Sequence, residues 1–180
     1  MKPWKIIQKL ESDNSRLFKE AVISDQLKKP HTVGLEEGLL LALDPLITFG
    51  VKKIPKSEKD GLGLTWVQFK YLARRLINRT ATGHEARDLI EFNMSLATKE
   101  EWNDWYRRIL IKDLKCGVSA KTVNNCCKKF KIDFKIPVFG CMLAHDGAKH
   151  PKKLVGECLV EYKYDGIRVI TIVKDGAATM

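Results

Sequence analysis

The chain has 180 residues, 44% apolar and 30% charged, which suits a folded globular protein and not a disordered segment. Its longest apolar run, Leu39 to Leu43, falls far short of the ~20 residues that cross a bilayer, and no secretory leader is legible at Met1-Lys2-Pro3-Trp4-Lys5, so a cytoplasmic location, or a nuclear one in a eukaryote, with no membrane association is expected. The net charge of +10 is concentrated in residues 61–130, with 13 basic against 7 acidic side chains; that bias points to a polyanionic partner, with a merely solvated lysine-rich surface as the alternative.

The first 130 residues read as successive helices. Trp4, Ile7 and Leu10 keep a helical spacing, and Leu17, Ala21 and Leu27 continue it on a second segment after Asp13-Asn14-Ser15. Leu35, Leu39, Leu43 and Leu46 make an apolar stripe that ends near Pro45. Residues 50–64, with Gly50, Pro55, Gly61 and Gly63 among lysines, read as a polar loop and a mobile hairpin. Thr65 then starts a helix whose inward face is Trp66, Phe69, Leu72, Ala73 and Leu76, with Lys70, Arg74 and Arg75 off that face.

Two capping boxes follow. Thr82-Gly83-His84-Glu85 predicts a helix running to Ala97, and Thr98-Lys99-Glu100-Glu101 predicts another with Trp102, Trp105, Tyr106, Ile109 and Leu110 inward. The second of these should run to Leu114-Lys115-Cys116-Gly117, with Gly117 ending it in a left-handed conformation. Ser119 caps a further helix, Ala120 to about Phe130. The corner between these helices combines a helix N-terminus, whose free N–H groups and partial positive charge suit a phosphate oxygen, with Lys112, Lys115, Lys121, Lys128 and Lys129. Such a corner positions a protein on a nucleic-acid backbone without reading sequence. Candidate DNA contacts are therefore Lys112, Lys115, Gly117, Ser119 and Lys121.

From Lys131 the pattern changes. Ile132, Phe134 and Ile136 alternate with charged residues and Pro137 blocks a helix, placing a domain boundary at 131–138. The five cysteines, Cys116, Cys126, Cys127, Cys141 and Cys158, form no CxxC pair, so reduced thiols are expected and no metal site is assigned. Residues 158–176 read as two strands joined near Asp165-Gly166, a preferred hairpin turn. A pattern such as Lys-x-Asp-Gly-x-Arg nevertheless arises by chance in only roughly two chains per thousand of this length.

Glu161-Tyr162-Lys163-Tyr164-Asp165-Gly166-Ile167-Arg168 resembles the nucleotide-binding lysine motif of ATP-dependent DNA ligases. Its core is shared with RNA ligases and capping guanylyltransferases, which would leave the long helical region unexplained. Cys141-Met142-Leu143-Ala144 is similar to the Pro-Met-Leu-Ala segment of DNA ligases, with Cys in place of Pro, and residues 111–123 resemble the basic corner of their helical DNA-binding domain. The resemblance implies a mainly α chain: an all-α DNA-binding domain at 1–133, then at 134–180 the first strands of an α+β nucleotidyltransferase (ATP-grasp-like) domain.

It further implies that Lys163 is the nucleophile towards ATP, that Glu161 contacts the adenine amine, that Arg168 lies near ribose and phosphates, and that Asp165 and Gly166 set the turn. A lysine attacks only when uncharged, and a neighbouring cation such as Arg168 lowers its pKa. ATP and Mg²⁺ are the implied cofactors, and nicked duplex DNA is the implied partner, in replication, repair and recombination. The later catalytic motifs and the OB-fold domain of the family are not in these 180 residues, so a further portion supplying them is expected. The competing reading is a non-catalytic DNA-binding module that keeps a vestige of the adenylation motif.

Overall fold

The structure, a computed structural model, describes residues 1–29, 33–140, 147–149, 155–157, 171–174 and 176–179. Two compact units divide the chain, Met1–Gly140 and Cys141–Met180. The first is helical: α1 (Pro3–Glu11), α2 (Arg16–Leu27), α3 (Leu35–Leu43), α4 (Trp66–Ile77), α5 (Gly83–Leu96), α6 (Lys99–Glu101), a π-helical turn (Trp102–Tyr106), α7 (Arg107–Leu110) and α8 (Ala120–Phe130). Among the described residues, no helix is long and apolar enough to cross a membrane.

One hydrophobic core joins these helices. Trp4, Ile6, Ile7 and Leu10 bury one side of α1, while Phe69, Leu72, Ala73 and Leu76 do the same for α4. Trp102, Trp105, Tyr106, Ile109 and Leu110 are all buried, as their spacing predicts. The π turn widens this helix at its middle, a feature that sequence periodicity does not reveal. Gly38 lets α3 close onto it: a Cβ there would lie 2.2 Å from a ring carbon of Trp105, so any larger residue would force the two helices apart.

α2 departs from its expected face. Leu17 is 71% exposed and Ala21 is also exposed, whereas Val22, Ile23 and Leu27 turn inward together with Lys19, Glu20, Ser24 and Gln26. The polar side chains can be buried because they are partly partnered: Glu20 accepts from Arg16 at 2.8 Å and from Lys129 of α8 at 2.9 Å. Those two cations, Lys129 foremost, hold the Glu20 carboxyl below its ordinary pKa.

Residues 50–64 do not form a hairpin; no strand is present there. The loop is irregular but tied down by side chains of the π turn and α7. Asn103 brackets Ser57, accepting from its N–H at 3.0 Å and donating to its carbonyl at 2.9 Å. Trp102 Nε1 donates to the Pro55 carbonyl at 3.0 Å, Arg107 Nε to the Ile54 carbonyl at 2.9 Å, and Tyr106 Oη to the Leu64 carbonyl at 2.7 Å. These bonds satisfy the loop's backbone in place of a ladder.

The first unit takes in residues up to Gly140. Ile136 is fully buried, and Asn124 of α8 clasps its backbone through two 2.8 Å bonds. In the second unit, a short helical turn at Gly147–Lys149 and two antiparallel strands, β1 (Ile172–Lys174) and β2 (Ala177–Thr179), are described, with Val173 opposite Ala178. Glu161, Lys163, Asp165, Gly166 and Arg168, the segment Cys141–Ala144, and Cys158 lie outside the described residues.

Candidate nucleic-acid interface

The helix that should run to Leu114 stops at Leu110. Lys112, at φ +60°, takes the left-handed position, and the N–H groups of Lys112 and Asp113 return to the carbonyls of Ile109 and Arg108. This double bond pattern is a Schellman closure, and it satisfies carbonyls that a helix end leaves open. Gly117 is left-handed, at φ +66°, but it shapes the next turn and does not end the helix. Lys115 is left-handed too, at φ +53°, so two non-glycine residues within four positions hold a costly backbone conformation.

Lys112 is not presented to solvent partners. Its ammonium donates to the carbonyls of Leu41 and Asp44 at 2.8 and 2.5 Å, closing the C-terminal end of α3, and burial lowers its pKa against the opposing charge of Asp44. The side chain predicted as a DNA contact therefore works inside the fold. Lys115 and Lys121, by contrast, are exposed and make no ion pair among the described residues. Ser119 caps α8 as expected, accepting from the Thr122 N–H at 3.3 Å, while the N–H groups of Ala120 and Lys121 have no acceptor among the described residues. Gly117, Ser119 and the two lysines thus form one exposed basic corner.

A further cation stands behind that corner. Lys19 of α2 is only 6% exposed and forms no ion pair among the described residues; the side-chain hydrogen bond it makes there, to Asn14 Oδ1, is 3.5 Å long. A Cβ on Gly117 would lie 2.8 Å from the Lys19 ammonium, so glycine keeps the way to this charge open. A largely buried lysine that lacks a counter-charge among the described residues suits an incoming anion. Nothing in the sequence pattern singles out Lys19, because its burial follows from the altered face of α2.

The start of α5 supplies a second basic region. The box predicted at Thr82-Gly83-His84-Glu85 does not form: Gly83 takes φ +57°, Thr82 makes no side-chain bond, and Glu85 pairs instead with Arg75 at 2.6 Å. The N–H groups of Gly83, His84 and Glu85 consequently have no acceptor among the described residues. Gly83 lines a cleft of about 840 Å³ together with Lys52, Lys53, Arg87 and Arg107, against the single carboxylate of Glu91. Lys52, Lys53 and Arg87 are exposed and unpaired among the described residues. The pinned 50–64 loop brings Lys52 and Lys53 beside α5, a long-range placement that no local spacing encodes.

Both regions set exposed cations beside open N–H groups, an arrangement whose chemistry suits an anion. Nucleophilic chemistry is not available at the described thiols. Cys116, Cys126 and Cys127 are buried, and burial foremost raises each pKa, that of Cys127 to about 11.

No protein-family model matches the chain, and no curated protein matches it. Two solved structures, named Pmar-Lig_Pre. and Pmar-Lig_PreS3, are each 49% identical to it with a TM-score of 0.76, over 87% of this chain and 36% of theirs. The chain spans about a third of the length of the structures it matches. Since 87% of 180 residues is about 157, more than the 140 of the first unit, the likeness reaches into Cys141–Met180. The TM-score and identity make the chain similar in fold to those structures.

Proposed function

We propose that this chain is the part of an ATP-dependent DNA ligase that grips duplex DNA through its helical unit and carries the nucleotide-linking lysine, Lys163. The 49% likeness to structures whose names contain Lig, read as ligase, carries this reading. The Glu161–Arg168 motif supports it separately, because one signal comes from most of the chain and the other from eight residues. In the helical unit, the exposed pair Lys115 and Lys121, the buried Lys19 and the start of α8 receive backbone phosphates, and the α5 cleft receives others.

In the adenylation step the uncharged Lys163 amine attacks the α-phosphate of ATP, the bond to the β-phosphate oxygen breaks, pyrophosphate leaves, and the amine gives up a proton. The AMP group then passes to a DNA 5′-phosphate, and the adjoining 3′-hydroxyl displaces it to seal the nick. Glu161 accepts from the adenine amine and Arg168 offers a rigid fork of donors to ribose and phosphate. Mg²⁺, when bound, would offset the charge of the phosphates; among the described residues no group of three or more His, Cys, Asp or Glu side chains is placed to hold it.

The chain incubated with α-labelled ATP and Mg²⁺ should take up covalent label that Lys163→Ala abolishes, and it should bind nicked duplex DNA in preference to single-stranded RNA. Duplex binding with no label returns the non-catalytic binding module, and indifference to both polymers removes the DNA-binding claim. The double variant Lys115→Gln/Lys121→Gln should lower the salt slope of duplex binding by about 1.8, at ~0.9 per phosphate contact. An unchanged slope removes the corner from the interface.

A further inference from the structure

We propose that Arg108 is a positioning residue for the basic corner: it touches no phosphate itself but holds the turn that presents Lys115 and the start of α8. The inference rests on the corner being a phosphate contact. Arg108 is buried and every nitrogen of its guanidinium is engaged. Nη1 donates to Glu11 Oε1 at 2.6 Å and to the Leu114 carbonyl at 2.9 Å; Nη2 donates to Glu11 Oε2 at 3.2 Å and to Asp104 Oδ1 at 2.7 Å; Nε donates to the Asn103 carbonyl at 3.3 Å. One planar group thereby joins the end of α1, the π turn and the corner.

The place of the Leu114 bond carries the inference. Leu114 lies between Lys112 and Lys115, both left-handed although neither is glycine, and three residues before left-handed Gly117. Such conformations persist only where the surroundings over-determine them. Beyond the backbone closure at Lys112 and Asp113, three side-chain ties do so here: the Lys112 ammonium on α3, Asp113 Oδ1 accepting from the Lys115 N–H at 2.8 Å, and Arg108 on Leu114. The Asp113 tie is local and exposed, and the Lys112 tie precedes Leu114. Leu114, Cys116 and Val118 bury their side chains in the core, and among the polar ties of the described residues Arg108 is the one that connects the backbone at the middle of the turn to a distant anchor, the bidentate pair with Glu11.

A lysine at 108 would keep the charge but offers no fork, so it cannot bridge Glu11, Asp104 and Leu114 together. Arg108→Lys is therefore expected to bind nicked duplex about tenfold more weakly at every salt concentration, with the salt slope unchanged, because contacts are misplaced and none is deleted. Glu11→Gln, which leaves the arginine in place and loosens its anchor, should give about a threefold fall with the same slope. Thermal melting by circular dichroism establishes that each variant is folded at the assay temperature; Glu11→Gln keeps the test open if Arg108→Lys is not.

Affinity within twofold of the unmodified chain in a folded variant overturns the proposal, since a purely structural arginine would lower the melting midpoint alone. A slope reduced by about 0.9 in Arg108→Lys also overturns it, by making Arg108 a phosphate contact. If Lys115→Gln/Lys121→Gln changes neither affinity nor slope, the corner reading fails first and the role of Arg108 falls with it. If those lysine variants act and the Arg108 and Glu11 variants do not, only the positioning role is lost.

Discussion

Two helix starts in this protein carry the same letters and do different things. Thr98-x-x-Glu101 forms a full capping box: Thr98 Oγ1 accepts from the Glu101 N–H at 3.3 Å, and Glu101 Oε2 accepts from the Thr98 N–H at 3.2 Å. Thr82-x-x-Glu85 forms none. The difference lies in the intervening residues and in the neighbours. Gly83 turns left-handed where a helical residue is needed, and Arg75 draws Glu85 away. A capped start belongs to the fold; an open one beside Lys52, Lys53 and Arg87 is free to meet an anion. The same four-residue signature thus marks a structural joint in one place and a candidate binding surface in the other.

The sharpest way to break this contrast is at the two glutamates. Glu101 also accepts from the buried Leu64 N–H at 3.2 Å, so Glu101→Ala strands two backbone donors and should cost about 2–3 kcal/mol in chemical denaturation. Glu85→Ala removes only a surface pair with Arg75 and should cost less than about 0.5 kcal/mol. Equal losses would show that both boxes matter alike. Next in size, Thr98→Ala should cost about 1 kcal/mol by the same measurement, whereas Thr82→Ala should change stability by no more than a few tenths.

The binding side of the contrast calls for Thr82→Asp. A carboxylate there competes with an incoming phosphate for the open N–H groups, and duplex affinity should fall by about threefold without loss of stability. No change in affinity would leave the α5 start without a role in binding. Smallest of all, Lys112→Gln should leave the salt slope of duplex binding unaltered, because its ammonium serves the carbonyls of Leu41 and Asp44. A slope lowered by about 0.9 would return Lys112 to the interface.

Much of the helical scaffold was readable from spacing. The inward stripes of α1 and α4, and the stripe through the π turn and α7, repeat every three to four residues, and Ser119 and Thr98 sit where a cap is needed. Where the reading failed, a longer-range interaction had overridden a local one. Leu17 and Ala21 yield the inward face of α2 to Val22, Ile23 and Leu27, which reach the core, with Glu20 paired to Lys129 of α8 beside them. The expected hairpin at 50–64 is bound instead by side chains some forty to fifty residues later in the chain. Gly117 was legible as left-handed, yet Lys112 is the residue that closes the helix.

The order of residues by itself determined where helices form, which aromatic side chains enter the core, and that the chain carries a basic middle third together with a lysine motif at 161–168. Local propensity and periodicity act over three or four residues, and those features need no more. Only the tertiary structure decided which cations are free. Lys112 and Lys115 are three positions apart and share a left-handed backbone, but the first is held by the end of α3 and the second faces solvent. Whether a charge is satisfied depends on which carbonyl or carboxylate folding brings within about 3 Å of it, and that partner can come from anywhere in the chain.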